Sequence, residues 1–238
     1  RSTVAKMLGI LGGLGPMSTV YFYEMITRMT QASCDQDHID MVISSHATTP
    51  DRTAYIIGES GMNPLDVMVD DARKLQTYGA EVIAIPCNTA HFFYRQIQDA
   101  VTVPVLNIIE ETVSAIRAEG VSKVGLLATV GTISTHTYQR VCEREGVGFA
   151  VPDNASQQAL MRIIYDDIKG GRQADRTRFD AIAQELFDQG CERLILGCTE
   201  LSIVKSQLSL PADRFTDSLE VLARATIRAC GKEVNEDA

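Results

Sequence analysis

The feature that most constrains the fold of this chain is an internal repeat. Residues 79–87 (GAEVIAIPC) align with residues 190–198 (GCERLILGC), and the glycine, the glutamate, two aliphatic positions and the final cysteine coincide. In both segments an apolar run ends on a thiol, and polar residues follow at once. Self-similarity of this kind indicates that a chain is built from repeated structural units.

A second pair of segments repeats in the same order and at nearly the same separation. Residues 6–19 (KMLGILGGLGPMST) align with residues 122–135 (SKVGLLATVGTIST). The coinciding positions are Gly9 with Gly125, Leu11 with Leu127, Gly15 with Gly131, and Ser18-Thr19 with Ser134-Thr135. Two matches in register predict two similar halves, of which one begins near residue 5 and the other near residue 121.

Each half alternates short apolar runs with helical patterns. The predicted strands are 6–12, 39–45, 81–86, 103–107, 122–127, 147–151 and 192–197. Between them apolar residues recur with the helical period, most clearly over 63–78 and 176–189. This alternation is typical of parallel sheets covered by helices on both faces. We therefore predict an α/β fold of two Rossmann-like domains with parallel sheets, related by a pseudo-twofold axis.

The predicted domains are residues 1–109 together with 211–238, and residues 110–210. In this assignment the C-terminal strand-and-helix unit returns to pack on the first half. Ligands in open parallel sheets bind beyond the carboxyl ends of the strands. If the halves face each other, these ends converge, so we expect the active site in the cleft between the domains, with Cys87 and Cys198 on opposite walls.

Composition and charge exclude several classes of protein. Of the 238 residues, 45% are hydrophobic and 22% are charged, a balance typical of a globular protein with a substantial core. The formal net charge of −9 argues against a nucleic-acid partner, because such binding depends on clustered Lys and Arg. No apolar run approaches the roughly 18 residues of a membrane helix. The six cysteines form no C-x-x-C pair or zinc spacing, so we expect free thiols, a cytoplasmic location and no metal.

Two thiols that face one small cavity suit the inversion of a carbon acid. A single base returns a proton to the face from which it came, whereas inversion most simply uses one group on each face. One cysteine is then a thiolate while the other is a thiol. A free thiol ionises at about pH 8.5, which is close enough to neutral pH for its surroundings to adjust it to catalysis.

Five motifs resemble those of the cofactor-independent aspartate racemases of the aspartate/glutamate racemase family. They are LGGLGP (11–16), TPDRT (49–53), PCNTAH (86–91), LATVGT (127–132) and LGCTEL (196–201). The resemblance spans about residues 7–220 and implies two α/β domains with the site between them. It also implies a homodimer that uses neither pyridoxal phosphate nor metal, with Cys87 as the base for the D-enantiomer and Cys198 for the L-enantiomer.

The same resemblance implies which residues hold the substrate. Those assigned to its α-carboxylate and ammonium are Asn88, Thr89, Thr199 and Thr129 or Thr132. Arg52 and Lys169 are assigned to the side-chain carboxylate, because two cations suit an acidic side chain. Leu14 stands where aspartate racemases often carry Met, and SSHATT (44–49) replaces a segment with Asn-Pro, so pocket size and substrate range are affected.

Three residues near the motifs have two interpretations each. Glu200, also counted with the substrate-binding residues, either orients Cys198 through hydrogen bonds or caps the following helix. His91 either tunes Cys87 or bonds to the backbone at a helix start. His46 either contacts substrate or is a solvated loop residue.

The sequence thus predicts an enzyme that interconverts L- and D-aspartate, with glutamate as a second candidate substrate. Two alternatives stay open. One is a broad-specificity amino-acid racemase or related diacid isomerase, and the other is a non-catalytic two-lobed protein that binds small anions. A dinucleotide site is not expected at the glycine-rich turn, because Ser18 stands where G-x-G-x-x-G requires its third glycine.

Overall fold

The computed structural model describes residues 4–238, and within them the chain folds into two parallel sheets. The strands are β1 (Leu8–Gly12), β2 (Met41–Ser45), β3 (Val82–Ala84), β4 (Lys123–Leu127), β5 (Gly148–Ala150), β6 (Arg193–Leu196) and β7 (Phe215–Asp217). The strand orders are β2-β1-β3 in the first sheet and β5-β4-β6-β7 in the second. These two parallel sheets confirm the predicted α/β fold.

Helices follow most strands and cover both sheets. The α-helices are α1 (Pro16–Met29), α2 (Arg52–Ile56), α3 (Leu65–Tyr78), α4 (Tyr94–Asp99), α5 (Ile108–Ala118), α6 (Val130–Ser134), α7 (Thr137–Glu145), α8 (Asn154–Arg162), α9 (Arg176–Asp188), α10 (Thr199–Leu208) and α11 (Ser218–Ala229). The predicted helices 63–78 and 176–189 correspond to α3 and α9. At the start of α3, Asn63 Oδ1 accepts a hydrogen bond from the N–H of Leu65 at 2.9 Å, which satisfies a free backbone donor.

The internal repeat is visible in the strand order. Strands β1 and β4 are central, β2 and β5 flank them on one side, and β3 and β6 flank them on the other. The predicted strand 103–107 is reduced to a single parallel bridge between Val105 and Ile83. This bridge extends the first sheet beside β3, as β7 extends the second sheet beside β6.

The repeated glycine of each central strand has a packing reason. A Cβ atom on Gly9 would lie 2.8 Å from the Cβ of Ala80, and one on Gly125 would lie 2.7 Å from Leu194 and 2.9 Å from Leu186. Real Cβ atoms do not approach neighbours this closely. Each glycine therefore lets a neighbouring strand and helix pack tightly on the centre of its sheet.

The C-terminal segment 211–238 joins the two halves, although the sequence assigned it to the first. Its strand β7 pairs with β6 in the second sheet, from Leu194 beside Phe215 to Leu196 beside Asp217. Its helix α11 packs against α1 and α5 of the first half. A parallel strand that follows β6 and α10 comes to lie beside β6, because such crossovers return to the same sheet.

The two halves also share a hydrophobic core. Its largest cluster includes Leu8 of β1, Leu126 of β4 and Leu219 of α11. Helices α5 and α11 meet there, and each begins with a side-chain cap, from Asn107 and from Asp217 respectively. The shared core thus joins elements of both halves. In the part of the chain that the structure describes, no helix has the length and apolarity needed to cross a membrane.

Candidate active site

One small cavity is lined by residues that follow β1, β3, β4 and β6, where parallel sheets bind ligands. The cavity is narrow, so it suits a small molecule. Every residue that the sequence assigned to the site, except Thr132, lines this cavity. These residues are Leu14, Arg52, Cys87, Asn88, Thr89, Thr129, Lys169, Cys198, Thr199 and Glu200.

The two cysteines of the repeat reach the cavity from different halves. Cys87 follows β3, and Cys198 follows β6 at the residue that precedes α10. Their exposed fractions are 6% and 5%, so both thiols are shielded from bulk water. The fold thus brings two symmetry-related thiols to one small pocket.

Glu200 connects the thiol of Cys198 to a cation. Cys198 Sγ donates a hydrogen bond to Glu200 Oε2 at 3.0 Å, and Lys169 Nζ donates to Glu200 Oε1 at 2.8 Å. An ionised carboxylate only accepts hydrogen bonds, so the proton of the first bond lies on sulfur. Of the two interpretations of Glu200, the structure shows the contact with the thiol.

The charges around Cys198 keep it protonated. Burial raises the pKa of Cys198 well above its ordinary value, the charge and hydrogen bond of Glu200 raise it further, and Lys169 opposes them. Burial also raises the pKa of Glu200, but the Lys169 charge and the hydrogen bonds together outweigh it, and the net pKa is lowered. Burial lowers the pKa of Lys169, but Glu200 outweighs it and the net pKa is raised. The pair is thus ionised and the thiol neutral at neutral pH.

The imidazole of His91 contacts the backbone of Cys87. His91 Nδ1 lies 2.7 Å from the carbonyl oxygen of Cys87, and the N–H of Ile108 donates to His91 Nε2 at 3.2 Å. Because Nε2 accepts, Nδ1 carries the hydrogen and the ring is neutral. Burial lowers the pKa of His91 to about 4, which keeps it neutral in the working pH range. His91 therefore ties the Cys87 backbone to the start of α5, as in the backbone interpretation.

His46 is a rim residue. Its Nδ1 lies 2.8 Å from Asp71 Oδ2, and 40% of its side chain is exposed. It is absent from the described residues that line the cavity. The structure therefore favours the loop interpretation of His46.

Arg52 is a buried cation that has no acidic partner in the described residues 4–238. Its Nη1 donates to the carbonyl oxygens of Pro50 at 3.0 Å and Thr49 at 3.4 Å, while its buried Nε has no partner. A buried charge with an unused donor is unfavourable unless an anion compensates it. Among the residues described, Arg52 is therefore a lining cation with an unused donor, whereas Lys169 is already paired with Glu200.

Threonine hydroxyls from both halves form one cluster. Thr89 Oγ1 lies 2.9 Å from Thr129 Oγ1 and 2.9 Å from Thr132 Oγ1. Thr129 also accepts from the N–H of Thr132 at 3.2 Å and so caps α6. Thr132 thus supports the two threonines that line the cavity. Because a hydroxyl can donate or accept, the cluster can present donors to a carboxylate.

The amide of Asn88 is occupied within the protein, although the sequence assigned it to the substrate. Asn88 Oδ1 accepts a hydrogen bond from the Tyr138 hydroxyl, and Asn88 Nδ2 donates to Ser218 Oγ at 3.1 Å. Asn88 lines the cavity, but both ends of its amide bond to other residues. Motif resemblance alone does not reveal this, because both partners are distant in sequence.

The repeated glycines at the start of α1 and in α6 lie against the opposite half. A Cβ atom on Gly15 would be 3.2 Å from Lys169 Nζ and 3.3 Å from Glu200 Oε1. A Cβ atom on Gly131 would be 2.8 Å from Thr53 Oγ1. Each glycine thus allows the two walls of the cavity to approach closely, which explains why this position recurs in the repeat.

Three further residues line the cavity: Asp51, Thr53 and Tyr165. The Tyr165 hydroxyl donates to Asp51 Oδ2 at 3.3 Å and so bridges the two halves. Burial raises the pKa of Tyr165 to about 12, with Asp51 adding to the shift. The sequence contained two signals for these residues. Asp51 and Thr53 flank Arg52, and Tyr165 precedes Lys169 by four residues, the spacing of one helix face.

Within residues 4–238, no group of three or more His, Cys, Asp or Glu side chains is arranged to hold a metal ion.

The comparisons with known proteins agree with this fold. The sequence profile of the Asp/Glu/Hydantoin racemase family matches residues 11–226. Over 228 residues the chain is 34% identical to the broad specificity amino-acid racemase RacX of Bacillus subtilis, which covers 93% of this chain and 96% of that protein.

Solved structures support the same relationship. The aspartate racemase of Picrophilus torridus superposes with a TM-score of 0.86 at 28% identity, covering 98% of this chain and 97% of that one. A putative Asp/Glu racemase from Yersinia pestis gives 0.79 at 27% identity, covering 94% and 99%. The chain therefore belongs to the Asp/Glu/Hydantoin racemase family, and its function is that of an amino-acid racemase. This confirms the family predicted from the motifs and favours an enzyme over a non-catalytic anion-binding protein.

Proposed function

We propose that the chain racemises aspartate by a two-base mechanism, with Cys87 and Cys198 on opposite faces of the α-carbon and without pyridoxal phosphate or another cofactor. A thiol from each half lines the cavity, the hydroxyls of Thr89 and Thr129 line it too, and a guanidinium without an acidic partner in residues 4–238 supplies a site for a carboxylate. The Picrophilus torridus relative, which is an aspartate racemase, supports the same substrate.

The reaction balances without a redox step. The thiolate of one cysteine removes the α-proton, so a C–H bond breaks, an S–H bond forms and the electron pair stays with the substrate. This pair spreads into the α-carboxylate, where the hydroxyls of Thr89 and Thr129 stabilise the added charge. The opposite thiol then gives its proton to the other face of the carbon. Each turnover exchanges the roles of the two sulfurs.

The surroundings of the thiols set the starting form. Cys198 is held protonated by burial and by Glu200, so it starts as the acid of the pair. If Cys87 serves the D-enantiomer, as the family resemblance implies, the resting enzyme is ready for D-aspartate. A turnover from L-aspartate then requires the proton of Cys198 to move first.

The lack of an acidic partner for Arg52 within residues 4–238 is the main reason for proposing aspartate as the substrate. Its buried guanidinium has no acidic partner within residues 4–238, so a substrate with a second carboxylate supplies the missing charge. Replacement with alanine removes hydrogen bonds to a charged group. We expect kcat/KM for aspartate to fall on the order of a hundredfold in Arg52→Ala, while the value for alanine changes much less.

Chiral chromatography of both amino acids tests this assignment, with the exposed Arg95→Ala as the control. Equal losses for aspartate and alanine in Arg52→Ala would show that Arg52 does not bind the side-chain carboxylate. If the unmodified protein converts another amino acid but does not detectably racemise aspartate, the assignment of aspartate as the substrate is wrong.

A broad-specificity racemase is the second candidate. Lys169 is already paired with Glu200, which leaves Arg52 as the lining cation without an acidic partner in the described residues. The Bacillus subtilis relative is a broad specificity amino-acid racemase. A panel of aspartate, glutamate and neutral amino acids separates the candidates, since comparable kcat/KM values across the panel indicate broad specificity.

We also propose that the enzyme is a cytoplasmic homodimer. On α1, Met17, Val20 and Tyr23 follow one another along an exposed face, with exposed fractions of 62%, 57% and 48%. Exposed apolar residues so close together are typical of protein contacts. All six cysteines are free, which suits a reducing compartment. Sedimentation analysis tests the dimer, and a monomer at all concentrations would contradict it.

A further inference from the structure

A buried hydrogen-bond network crosses between the two halves beside the cavity. The Tyr138 hydroxyl donates to Asn88 Oδ1, Asn88 Nδ2 donates to Ser218 Oγ at 3.1 Å, and Ser218 Oγ donates to the carbonyl oxygen of Leu196 at 2.6 Å. Tyr138 and Ser218 have no exposed surface, and Asn88 is 2% exposed. We call these three side chains and the Leu196 carbonyl the interhalf network.

Two members of the interhalf network lie close in sequence to the two cysteines. Asn88 is the residue after Cys87, and Leu196 is the last residue of β6, two positions before Cys198. Ser218, the first residue of α11, links them. An unbroken series of hydrogen bonds therefore connects the backbone around one thiol to the backbone around the other.

Packing alone does not require the hydroxyl group of Tyr138. Tyr138 belongs to the large hydrophobic cluster, together with Val141 and Cys142 of the same helix. A phenylalanine ring would fill the same volume without any polar requirement. A buried polar network is favourable only when every member keeps its partner, so it specifies one relative position of the elements it joins. Here those elements carry the two thiols.

The pKa of Tyr138 is consistent with a permanent donor. Burial raises the pKa of its hydroxyl far above the ordinary value for tyrosine, so the group stays protonated at every working pH. Asn88 is polar but carries no ionisable group. The interhalf network therefore keeps its geometry across the pH range in which the thiols change protonation.

We propose that Tyr138 is a positioning residue: through the interhalf network it holds the two cysteine segments at the separation that inversion requires. The inference rests on the two-thiol function proposed above. Removal of a proton requires one correctly placed sulfur, whereas inversion requires both around the same carbon. Loss of the network should therefore impair delivery of the second proton more than removal of the first.

Tyr138→Phe tests this division, because it deletes one oxygen atom. The assay follows L- and D-aspartate in D₂O and measures both inversion and deuterium in the recovered starting enantiomer. We expect inversion to fall about tenfold to a hundredfold, as for small misplacements of reacting groups. Deuterium uptake into the starting enantiomer should fall less, because a sulfur that has taken the α-proton exchanges it with D₂O and then returns deuterium to the same face of the carbanion. The ratio of uptake to inversion therefore rises.

Thr226→Val is the matched control. Thr226 is fully buried on α11, and its Oγ1 donates to the carbonyl oxygen of Leu222 at 2.7 Å, away from the cavity lining. It should lower thermal stability while leaving the ratio of uptake to inversion unchanged. Ser218→Ala breaks the network at another point and should raise the ratio as Tyr138→Phe does, so the test stands even if one variant does not fold.

Unchanged ratios in both Tyr138→Phe and Ser218→Ala would overturn the positioning role. Failure of the proposed function looks different, because Cys87→Ser and Cys198→Ser would then racemise aspartate normally. If these two cysteine variants are inactive while the network variants keep the normal ratio, the two-thiol mechanism stands and the inference about Tyr138 is wrong.

Discussion

The surroundings of Cys87 and Cys198 differ, although the duplicated fold gives both cysteines equivalent places. Two residues after Cys198, Glu200 accepts the thiol hydrogen at 3.0 Å. Two residues after Cys87, Thr89 instead joins the threonine cluster. Within residues 4–238, no side chain makes a hydrogen bond to the Cys87 sulfur. One thiol is therefore fixed as a donor, and the other is not.

The residues four positions after each cysteine again have equivalent contacts in the two halves. His91 accepts a hydrogen bond from the N–H of Ile108 at the start of α5, and Ser202 donates to Asp217 Oδ1 at 2.5 Å at the start of α11. Both contacts tie a cysteine segment to the start of a helix that comes later in the chain. The repeat thus supplies the scaffold twice, while burial and the carboxylate of Glu200 raise the pKa of Cys198.

The largest expected effect comes from removing either thiol. Cys87→Ser and Cys198→Ser should each lower aspartate racemisation on the order of a thousandfold or more, because a hydroxyl replaces the acid–base group. Each variant should still exchange the α-proton of one enantiomer, and the two variants should differ in which one. The control is Cys191→Ser, a buried cysteine outside the cavity lining. Full activity in both site variants would remove the two-base mechanism.

On the Cys87 side, His91 predicts a pH dependence of stability. Burial lowers its pKa to about 4, below the unfolded value of 6.5. The contribution of neutral His91 to the free energy of unfolding is therefore complete above pH 6.5. It is lost as the pH falls toward 4, because the unfolded chain binds the proton more readily. From pH 7 to pH 5 this amounts to about 2 kcal/mol of the free energy of unfolding.

Urea unfolding at the two pH values measures the effect. His91→Gln should reduce the difference between pH 7 and pH 5, whereas the exposed His136→Gln should not. An identical pH dependence in His91→Gln and the unmodified protein would show that His91 is not held neutral.

On the Cys198 side, Glu200→Gln should make the two thiols more alike. Removing the carboxylate charge lowers the pKa of Cys198, because Lys169 remains and favours the thiolate. Alkylation of Cys198 by iodoacetamide at pH 7 should become about tenfold faster for each unit by which the pKa falls. In a plot of racemisation rate against pH, the change in rate on the alkaline side should move to lower pH.

Glu220→Gln is the matched control, since Glu220 pairs with Lys205 at 2.9 Å in the first turn of α11, outside the cavity lining. It should leave alkylation of Cys198 unchanged. Slower alkylation of Cys198 in Glu200→Gln would reverse the sign argued here.

The smallest effect is expected from Gly15→Ala. The added Cβ would lie 3.2 Å from Lys169 Nζ and 3.3 Å from Glu200 Oε1, so the ion pair must shift by a few tenths of an ångström. We expect roughly a threefold loss of kcat/KM and an altered alkylation rate at Cys198, with Cys87 unaffected. Peptide mass spectrometry resolves the two rates, and equal changes at both cysteines would contradict the local effect.

The sequence was sufficient to predict the architecture because the repeat and the apolar periods are local signals. Six of the predicted strands appear close to their expected bounds, and the glycines at residues 9 and 125 recur for packing reasons. The segment 211–238 was harder, because strand pairing depends on crossover geometry and not on local composition. Its strand lies in the second sheet, and its helix contacts the first half. The division into domains stays a prediction.

The residues that surround the site were also predicted largely from their motifs, but their partners were not. Nothing local to Lys169 indicates that Glu200 occupies its ammonium, or that the amide of Asn88 meets Tyr138. These contacts join residues that are distant in sequence. The roles of the lining residues in catalysis therefore remain proposals that rest on the geometry.

In the proposed mechanism two sulfurs serve one carbon from opposite sides. The most direct measurement converts L-aspartate in D₂O and stops at low conversion. We expect D-aspartate to carry deuterium at the α-carbon from the first turnovers, while the remaining L-aspartate keeps its protium. D-aspartate that retains the original protium would mean that one base carries the proton across, and the two-sulfur account would be wrong.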